Sequence, residues 1–194
     1  MTAERRTRNT PVVLMAAGLG LLAAALLWSY LRPGLWLLDL VVVPAVWLAL
    51  AAGLALLLAG AVMRGRHSAR AAAGPAALVV GAVALCVLIG PWWQITPKSW
   101  FVTHRGLYEL ALRTDPGTSY YGTSLPAHLR FLTAGGTVSG NPQGARFFPQ
   151  WIGVPDDAGG YWYSPGRSPA GYDMYGMVCD APVSLGDDWW TCGI

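Results

Sequence analysis

The stretch Pro11–Tyr30, PVVLMAAGLGLLAAALLWSY, decides how this chain is read. It carries no charged side chain and is long enough to cross a bilayer, because about 20 apolar residues at about 1.5 Å rise span roughly 30 Å of hydrocarbon. Two further long apolar stretches follow, Leu37–Met63, with Asp39 near its start, and Ala73–Ile89, the last continuing to about residue 91. The expected fold is a cytoplasmic tail over residues 1–10 and three transmembrane helices over residues 11–93. A small extracytoplasmic α+β domain with a mainly antiparallel sheet then covers residues 94–194.

A cleaved signal peptide is the competing reading of the first stretch. The arginine-bearing start fits it. The apolar run is too long for an ordinary signal core, and the bulky Trp28-Ser29-Tyr30 replaces the small residues a cleavage site needs. A retained anchor is expected.

Arginines set the orientation, since short cytoplasmic loops carry the excess of Lys and Arg. Arg5, Arg6 and Arg8 precede the first stretch, and Arg64, Arg66 and Arg70 separate the second from the third. The first loop holds only Arg32, with Asp39 nearby. Both arginine-rich segments should face the cytoplasm, which puts the C-terminal region outside it. Trp28, Tyr30, Trp36, Trp92 and Trp93 then form an aromatic belt at the outer interface.

From Trp92 onward six basic residues face eight acids, a net of −2, so the +5 of the membrane half is a topology signal. No basic stripe lies in the polar half, and no nucleic acid is expected as a partner. No ionisable residue lies near the middle of a span, against a pump, a proton-coupled transporter or a charged pore. Small residues recur at four-residue spacing, Ala16-Gly20-Ala24, Ala45-Ala49-Gly53 and Ala73-Ala77-Gly81, which makes close helix packing feasible. The short turn at Arg32-Pro33-Gly34 makes an antiparallel hairpin of the first two spans.

In the C-terminal region Thr96-Pro97 is an N-cap signal. Trp100, Phe101, His104, Leu107, Tyr108 and Ala111 follow at helical spacing, or the helix begins at Thr103 with Leu107, Leu110 and Ala111 buried. Short strands are expected at Leu129–Thr133, Thr137–Ser139, Ala145–Ile152, Gly160–Tyr163, Tyr172–Cys179 and Trp189–Ile194, separated by Gly/Pro/Asn/Asp turns. Cys179 and Cys192, outside the cytoplasm, are expected to form a disulfide closing a short loop, which contributes about 3 kcal/mol. Cys86 lies within the third span without an obvious partner.

Aromatic residues crowd this region. Most are expected in the core of a small sheet poor in Leu and Ile. Alternation along a strand leaves some facing outward. The expected contact surface is Trp162, Asp187, Asp188, Trp189 and Trp190, where a tethered turn offers anchors at low entropy cost. Catalytic options are thin. His104 and His128 have no serine or acid at a diagnostic spacing, and no nucleophile-elbow motif is present. The paired acids Asp156-Asp157 and Asp187-Asp188 read as turn residues, although two carboxylate pairs that met could hydrolyse a glycoside. No catalytic residue, metal ligand set or cofactor is assigned.

The stretches Tyr120-Tyr121-Gly122, Phe147-Phe148-Pro149-Gln150-Trp151, Gly159–Pro165 and Gly186–Cys192 resemble motifs of small, uncharacterised membrane proteins of high-GC bacteria. The resemblance covers the tail from about Phe101 and implies a bacterial membrane location, with no activity attached. The expected function is a membrane protein displaying a binding or docking module for an envelope component or a membrane partner. The alternative is an anchored hydrolase acting on envelope glycan or lipid.

Overall fold

The structure is a computed structural model that describes residues 3–32, 38–66, 69–154 and 156–194, with the side chains of residues 3–9 and 69–72 outside the description. The chain forms two compact units. One holds Met1–Ser29 and Leu40–Pro91; the other holds Tyr30–Asp39 and Trp92–Ile194.

The first unit is helical: α1 (Ala3–Leu31), α2 (Asp39–Gly65) and α3 (Ala69–Ile89). The buried positions of α2 are Val46, Leu50, Gly53, Leu57 and Gly60, a 4-3-4-3 spacing that keeps one seam on one face. That seam meets α1 at glycines. A Cβ on Gly18 would sit 2.7 Å from the Gly53 carbonyl oxygen, and one on Gly60 would sit 2.5 Å from Met15 Cγ. Contacts that descend α1 while ascending α2 make the pair antiparallel, as expected. The seam of α1 runs through Met15, Gly18, Leu22 and Ala25, so the expected Ala16-Gly20-Ala24 stripe is not the packed face. Gly20 and Gly81 have open space where a Cβ would lie.

The other faces of these helices are apolar too. Leu40, Val41, Leu48 and Val80 are each about 70% exposed or more. A helix that is hydrophobic all round needs an apolar solvent or further protein around it. Thr10–Leu31 and Asp39–Gly65 are long and apolar enough to span a bilayer. The third expected span differs: its apolar part, Ala73–Ile89, is a shorter stretch. Pro33, Gly34 and Trp36, which the turn and the aromatic belt invoked, lie outside the described residues, as do the side chains of Arg5, Arg6, Arg8 and Arg70.

The second unit is a helix on a mainly antiparallel sheet. Helix α4 (Pro97–Ala111) starts at the expected Thr96-Pro97 and buries Trp100, Phe101, His104, Tyr108 and Ala111, the first of the two expected faces. The strands are β1 (Thr123–Ser124), β2 (Thr137–Gly140), β3 (Arg146–Ile152), β4 (Ala158–Tyr163), β5 (Asp173–Met174), β6 (Met177–Val178), β7 (Val183–Gly186) and β8 (Trp189–Cys192). Six form one sheet in the order β1-β2-β3-β4-β8-β7, and β5 pairs with β6. The strand expected at Leu129–Thr133 is a 3-10 segment instead, Ala127–Leu132. It follows Pro126 and buries Leu129, Phe131 and Leu132 with the spacing of a tight helix. The expected Tyr172–Cys179 strand is the two-stranded β5–β6 ribbon, broken by Tyr175-Gly176, both at positive φ.

Both faces of this sheet are covered. On one, Phe148, Tyr161 and Trp189 pack against Phe101 and Tyr108 of α4, with ring centroids 5.0–5.6 Å apart for Phe101–Trp189, Phe101–Tyr161 and Tyr108–Phe148. On the other, Phe147 and Trp162 stack at 4.7 Å and pack with Met174, Tyr175, Cys179 and Cys192. Cys179 and Cys192 are at disulfide distance, with Cα atoms 5.7 Å apart.

At the centre of the α4 face lies a polar knot. The β3–β4 register slips between Pro149 and Trp151, so Gln150 is the extra residue of a bulge, and bulges re-aim side chains. Pro149 is tolerated there because the β2 partnership extends only to Phe147. Gln150 Nε2 donates to the Leu132 carbonyl at 2.8 Å and to the Tyr108 hydroxyl at 3.1 Å. Arg32, expected as a loop charge, is 6% exposed and completes the knot. Its guanidinium donates to the Phe131 carbonyl (3.2 Å), Gln150 Oε1 (3.2 Å) and the Gln150 carbonyl (2.6 Å), and lies 4.3 Å from the Trp93 ring centroid. All these acceptors are neutral, and burial lowers the Arg32 pKa from 12.5 to about 10. Tyr30 donates to the Ala127 carbonyl at 2.7 Å, and the Gly135 N–H donates to the Arg32 carbonyl at 3.2 Å. The segment between α1 and α2 is therefore built into the same unit as the sheet.

Candidate functional site

A cleft of about 640 Å³ opens on the Trp162 face of the sheet. Three segments wall it: the loop Pro116–Tyr120, the β2–β3 connection Ser139–Gln143, and Gly171–Tyr175. Each wall has a local cause. The first begins at the Asp115-Pro116-Gly117 turn, where the Gly117 N–H donates to Asp115 Oδ1 at 3.0 Å. The second turns at Asn141, whose Oδ1 accepts the N–H groups of Gln143 (3.1 Å) and Ala145 (2.8 Å). The third is held by paired main-chain bonds, Gly171 N–H to the Cys179 carbonyl and Cys179 N–H to the Tyr172 carbonyl, both 2.9 Å. Cys179 in turn is joined to Cys192 at the end of β8. The cysteine pair thus clamps one wall of the cleft to the sheet.

Trp162 forms part of the lining and is only 2% exposed. The Tyr172 ring meets it edge-on with centroids 5.3 Å apart. Tyr120, about half exposed, packs on Tyr175 at 5.6 Å and donates its hydroxyl to Asp173 Oδ2 at 2.7 Å. Partial desolvation, and then that hydrogen bond, push the Tyr120 phenol up to about 12. Tyr175 is buried. Its hydroxyl donates to Ser139 Oγ at 3.1 Å, and burial raises its pKa.

Three polar atoms of the lining residues make no hydrogen bond and are sealed from water: Trp162 Nε1, Tyr172 OH and Asn141 Nδ2. An unmade buried hydrogen bond costs about 1–3 kcal/mol, so such atoms mark places where a partner is missing. All three can donate. Among the described residues Asp173 is the one ionisable carboxylate of the lining, and no Lys, Arg or His is among them.

The residues expected to form the contact surface fare differently. Trp189 is 1% exposed and packs under α4, and Trp162 faces inward from β4, so neither is an outward anchor. The reason is that β4 and β8 lie inside a sheet covered on both faces, where alternation exposes neither side. Asp187 and Asp188 form the two-residue turn of the β7–β8 hairpin, both at positive φ (49° and 64°), as a type I′ turn demands. Asp187 pairs with Arg105 at 2.5 Å, and Asp188 Oδ1 accepts the Gly166 N–H at 3.0 Å. Trp190 is half-buried and packs beside Trp162 in the same cluster. Of these five residues, Trp162 alone belongs to the cleft lining. Tyr120, Asn141, Tyr172 and Asp173 were not singled out as a site. Their one sequence signal is that aromatic and Asn-Pro turn residues punctuate the same strands.

The residues weighed for catalysis are engaged as follows. His104 is 1% exposed, stacks on Trp100 at 3.9 Å and places Nδ1 2.8 Å from the Trp100 carbonyl. Asp156 accepts the Tyr121 hydroxyl at 2.6 Å, while Asp187 is engaged by Arg105. No family model, no curated protein and no solved structure matches this chain.

Proposed function

We propose that this chain is a three-span membrane protein that displays its β-sheet unit outside the cytoplasm as a binding module for an envelope component. The observation that carries the binding reading is the Trp162 cleft, whose lining leaves three buried donors without acceptors. A hydrolase is the poorer fit, since glycoside hydrolysis needs two opposed carboxylates and the lining supplies only Asp173.

Chain connectivity supports the third crossing. Tyr30 and Arg32, between α1 and α2, hydrogen-bond within the unit that also holds the chain after α3. With two crossings, the segment after α2 would return to the side of the N-terminus, opposite to Arg32. Only an odd number of crossings before Trp92 leaves both on one side. Helix α3 has 21 residues, about 31 Å at 1.5 Å each, which suffices. The arginine asymmetry makes the shared side extracytoplasmic. A cysteine pair at bonding distance fits that compartment.

The test uses intact cells. A photoreactive residue at Thr118, on the cleft wall, should crosslink to envelope material, while one at the exposed Arg113 should not. Equal capture at both positions, or none at Thr118, would refute the binding reading. A C-terminal reporter active only in the cytoplasm would refute the topology.

A further inference from the structure

The chemistry of the cleft narrows its ligand. Trp162 Nε1 and Asn141 Nδ2 are donors without acceptor capacity, and the Tyr172 hydroxyl, also unpartnered, can donate as well. Together they ask for a ligand rich in acceptor oxygens. A cation is disfavoured by that cluster of donors, even though aromatic rings and Asp173 would otherwise suit one. An anion is disfavoured by Asp173 in the lining, and Arg167, 5.9 Å over the Tyr172 ring, donates to the Gln143 carbonyl at 3.1 Å and is not among the described lining residues. A neutral ligand carrying hydroxyl or amide oxygens remains. Flat rings add a second requirement. Tyr120 at the rim and Tyr172 over Trp162 offer apolar faces beside these polar atoms. Ring C–H faces flanked by hydroxyl groups have that alternation, and a sugar presents it on every residue.

We propose that the cleft binds a neutral carbohydrate, with Trp162, Tyr172 and Asn141 donating to its oxygens and Tyr120 stacking at the mouth. This rests on the binding-module reading above and names its ligand class. The Tyr172 side chain is the moving part. Its hydroxyl holds no hydrogen bond in the chain, so swinging it aside breaks none and opens the Trp162 edge to an incoming oxygen. The main chain of the same residue is fixed by the Cys179 pairing, so the wall keeps its place while the ring turns. Asp173 accepts from the Tyr120 hydroxyl through Oδ2 and from the Gly176 N–H through Oδ1, and a carboxylate oxygen holding one such bond keeps a further lone pair for a sugar hydroxyl.

The experiment uses the full chain in lipid nanodiscs and calorimetric titration with four probes: a β-1,4-linked N-acetylglucosamine tetramer, a β-1,4-linked glucose tetramer, tetramethylammonium and inorganic phosphate. Binding of either neutral tetramer, with neither ion binding, is the expected result. Tyr172→Phe and Asn141→Asp, the second of which keeps the side-chain oxygen that accepts the Gln143 and Ala145 N–H groups and removes only the Nδ2 donor, should each weaken that binding about tenfold while the thermal midpoint holds. Trp162→Phe should do the same, and the two rim-side variants keep the test alive if Trp162→Phe fails to fold. Binding of tetramethylammonium or phosphate in place of the sugars would overturn the proposal. So would full sugar affinity in both Tyr172→Phe and Asn141→Asp. Failure of all four probes would overturn the carbohydrate class. The envelope crosslink at Thr118 would still stand if the module binds something else, so the two failures are distinguishable.

Discussion

Replacing Arg32 by Ala is the sharpest probe of this molecule, because one side chain ties the α1–α2 segment to residues 99 to 118 positions away. The change removes three hydrogen bonds from a charged donor and strands three acceptors: the Phe131 carbonyl, the Gln150 carbonyl and Gln150 Oε1. A stranded buried acceptor costs about 1–3 kcal/mol. Against this, the variant no longer buries a cation, a cost visible in the Arg32 pKa of about 10. The net loss is about 2–4 kcal/mol, below the sum of the parts. For a unit of this size about 1 kcal/mol shifts the midpoint by roughly 4–8 °C, so a fall of roughly 10–25 °C is expected. The assay is thermal unfolding of the full chain in nanodiscs by near-ultraviolet circular dichroism, with hydrogen exchange of the Gly135 amide, which donates to the Arg32 carbonyl. Arg32→Lys should lose most of the same stability, since an ammonium cannot reach all three acceptors in a fork. If Arg32→Ala melted within about 3 °C of the parent and Gly135 exchanged no faster, the segment would not be docked. The parity argument for the third crossing would fall with it.

Burial raises the phenol pKa values of Tyr108, Tyr161 and Tyr175, so their contribution to stability is complete below the unfolded value near 10 and is lost as pH rises above it. Arg32 acts in the opposite sense between about 10 and 12.5, but it is one group against three. The midpoint should therefore fall above pH 10, and the tyrosinate absorbance of Tyr108 and Tyr161 should appear only as the unit unfolds. Gly53→Leu drives a side chain into Leu22 and the Gly18 carbonyl oxygen, 2.8 and 3.0 Å from a Cβ there. It should separate α1 from α2, read as a longer distance between spin labels at the exposed positions Val12 and Val62. Cys192→Ser removes a constraint worth about 3 kcal/mol by the chain-entropy model and should speed exchange at the Gly171 and Cys179 amides that hold the cleft wall. Cys86, left alone, should not rescue the pairing.

What was legible in the sequence follows the range of the interactions. Helix α4 could be read because its cap signal and its buried face at Trp100, Phe101, His104 and Tyr108 are local. The strands β3, β4 and β8 showed themselves through aromatic runs between turn residues. β1 and β7 did not, since both are short edge strands with largely exposed side chains and no alternation to follow. Trp162, expected at an outward contact surface, is buried instead. Alternation predicts an outward face only when a sheet is covered on one side, and here α4 covers one face and the 172–179 segment the other. Arg32 was the largest blind spot. A single arginine in a short loop reads as a topology charge, and nothing near it announces Gln150, a bulge residue far along the chain. The cleft was hidden for the same reason: Thr118, Asn141 and Tyr172 come together only through the order of the strands.

Three features bear on which side of the membrane the sheet unit occupies, and they are logically separate. The knot around Arg32 says nothing of inside or outside; it only binds the α1–α2 segment and the C-terminal region to one side. The arginines at Arg5, Arg6, Arg8, Arg64, Arg66 and Arg70 say nothing of docking; in the proposed topology they lie on the opposite side, which the excess of arginine near span ends makes cytoplasmic. The Cys179–Cys192 pair is blind to both and depends only on redox environment. Each could have disagreed with the others. An even number of crossings would set the knot against the arginines, and a cytoplasmic sheet unit would set the arginines against the cysteines. A two-span reading has to discard the knot, because it puts Arg32 and Gln150 on opposite sides of the bilayer. The three-span reading discards none of these observations. Its one demand is that α3, short in its apolar part, crosses with help from Trp92 and Trp93 at its outer end, where aromatic residues anchor helices at the interface.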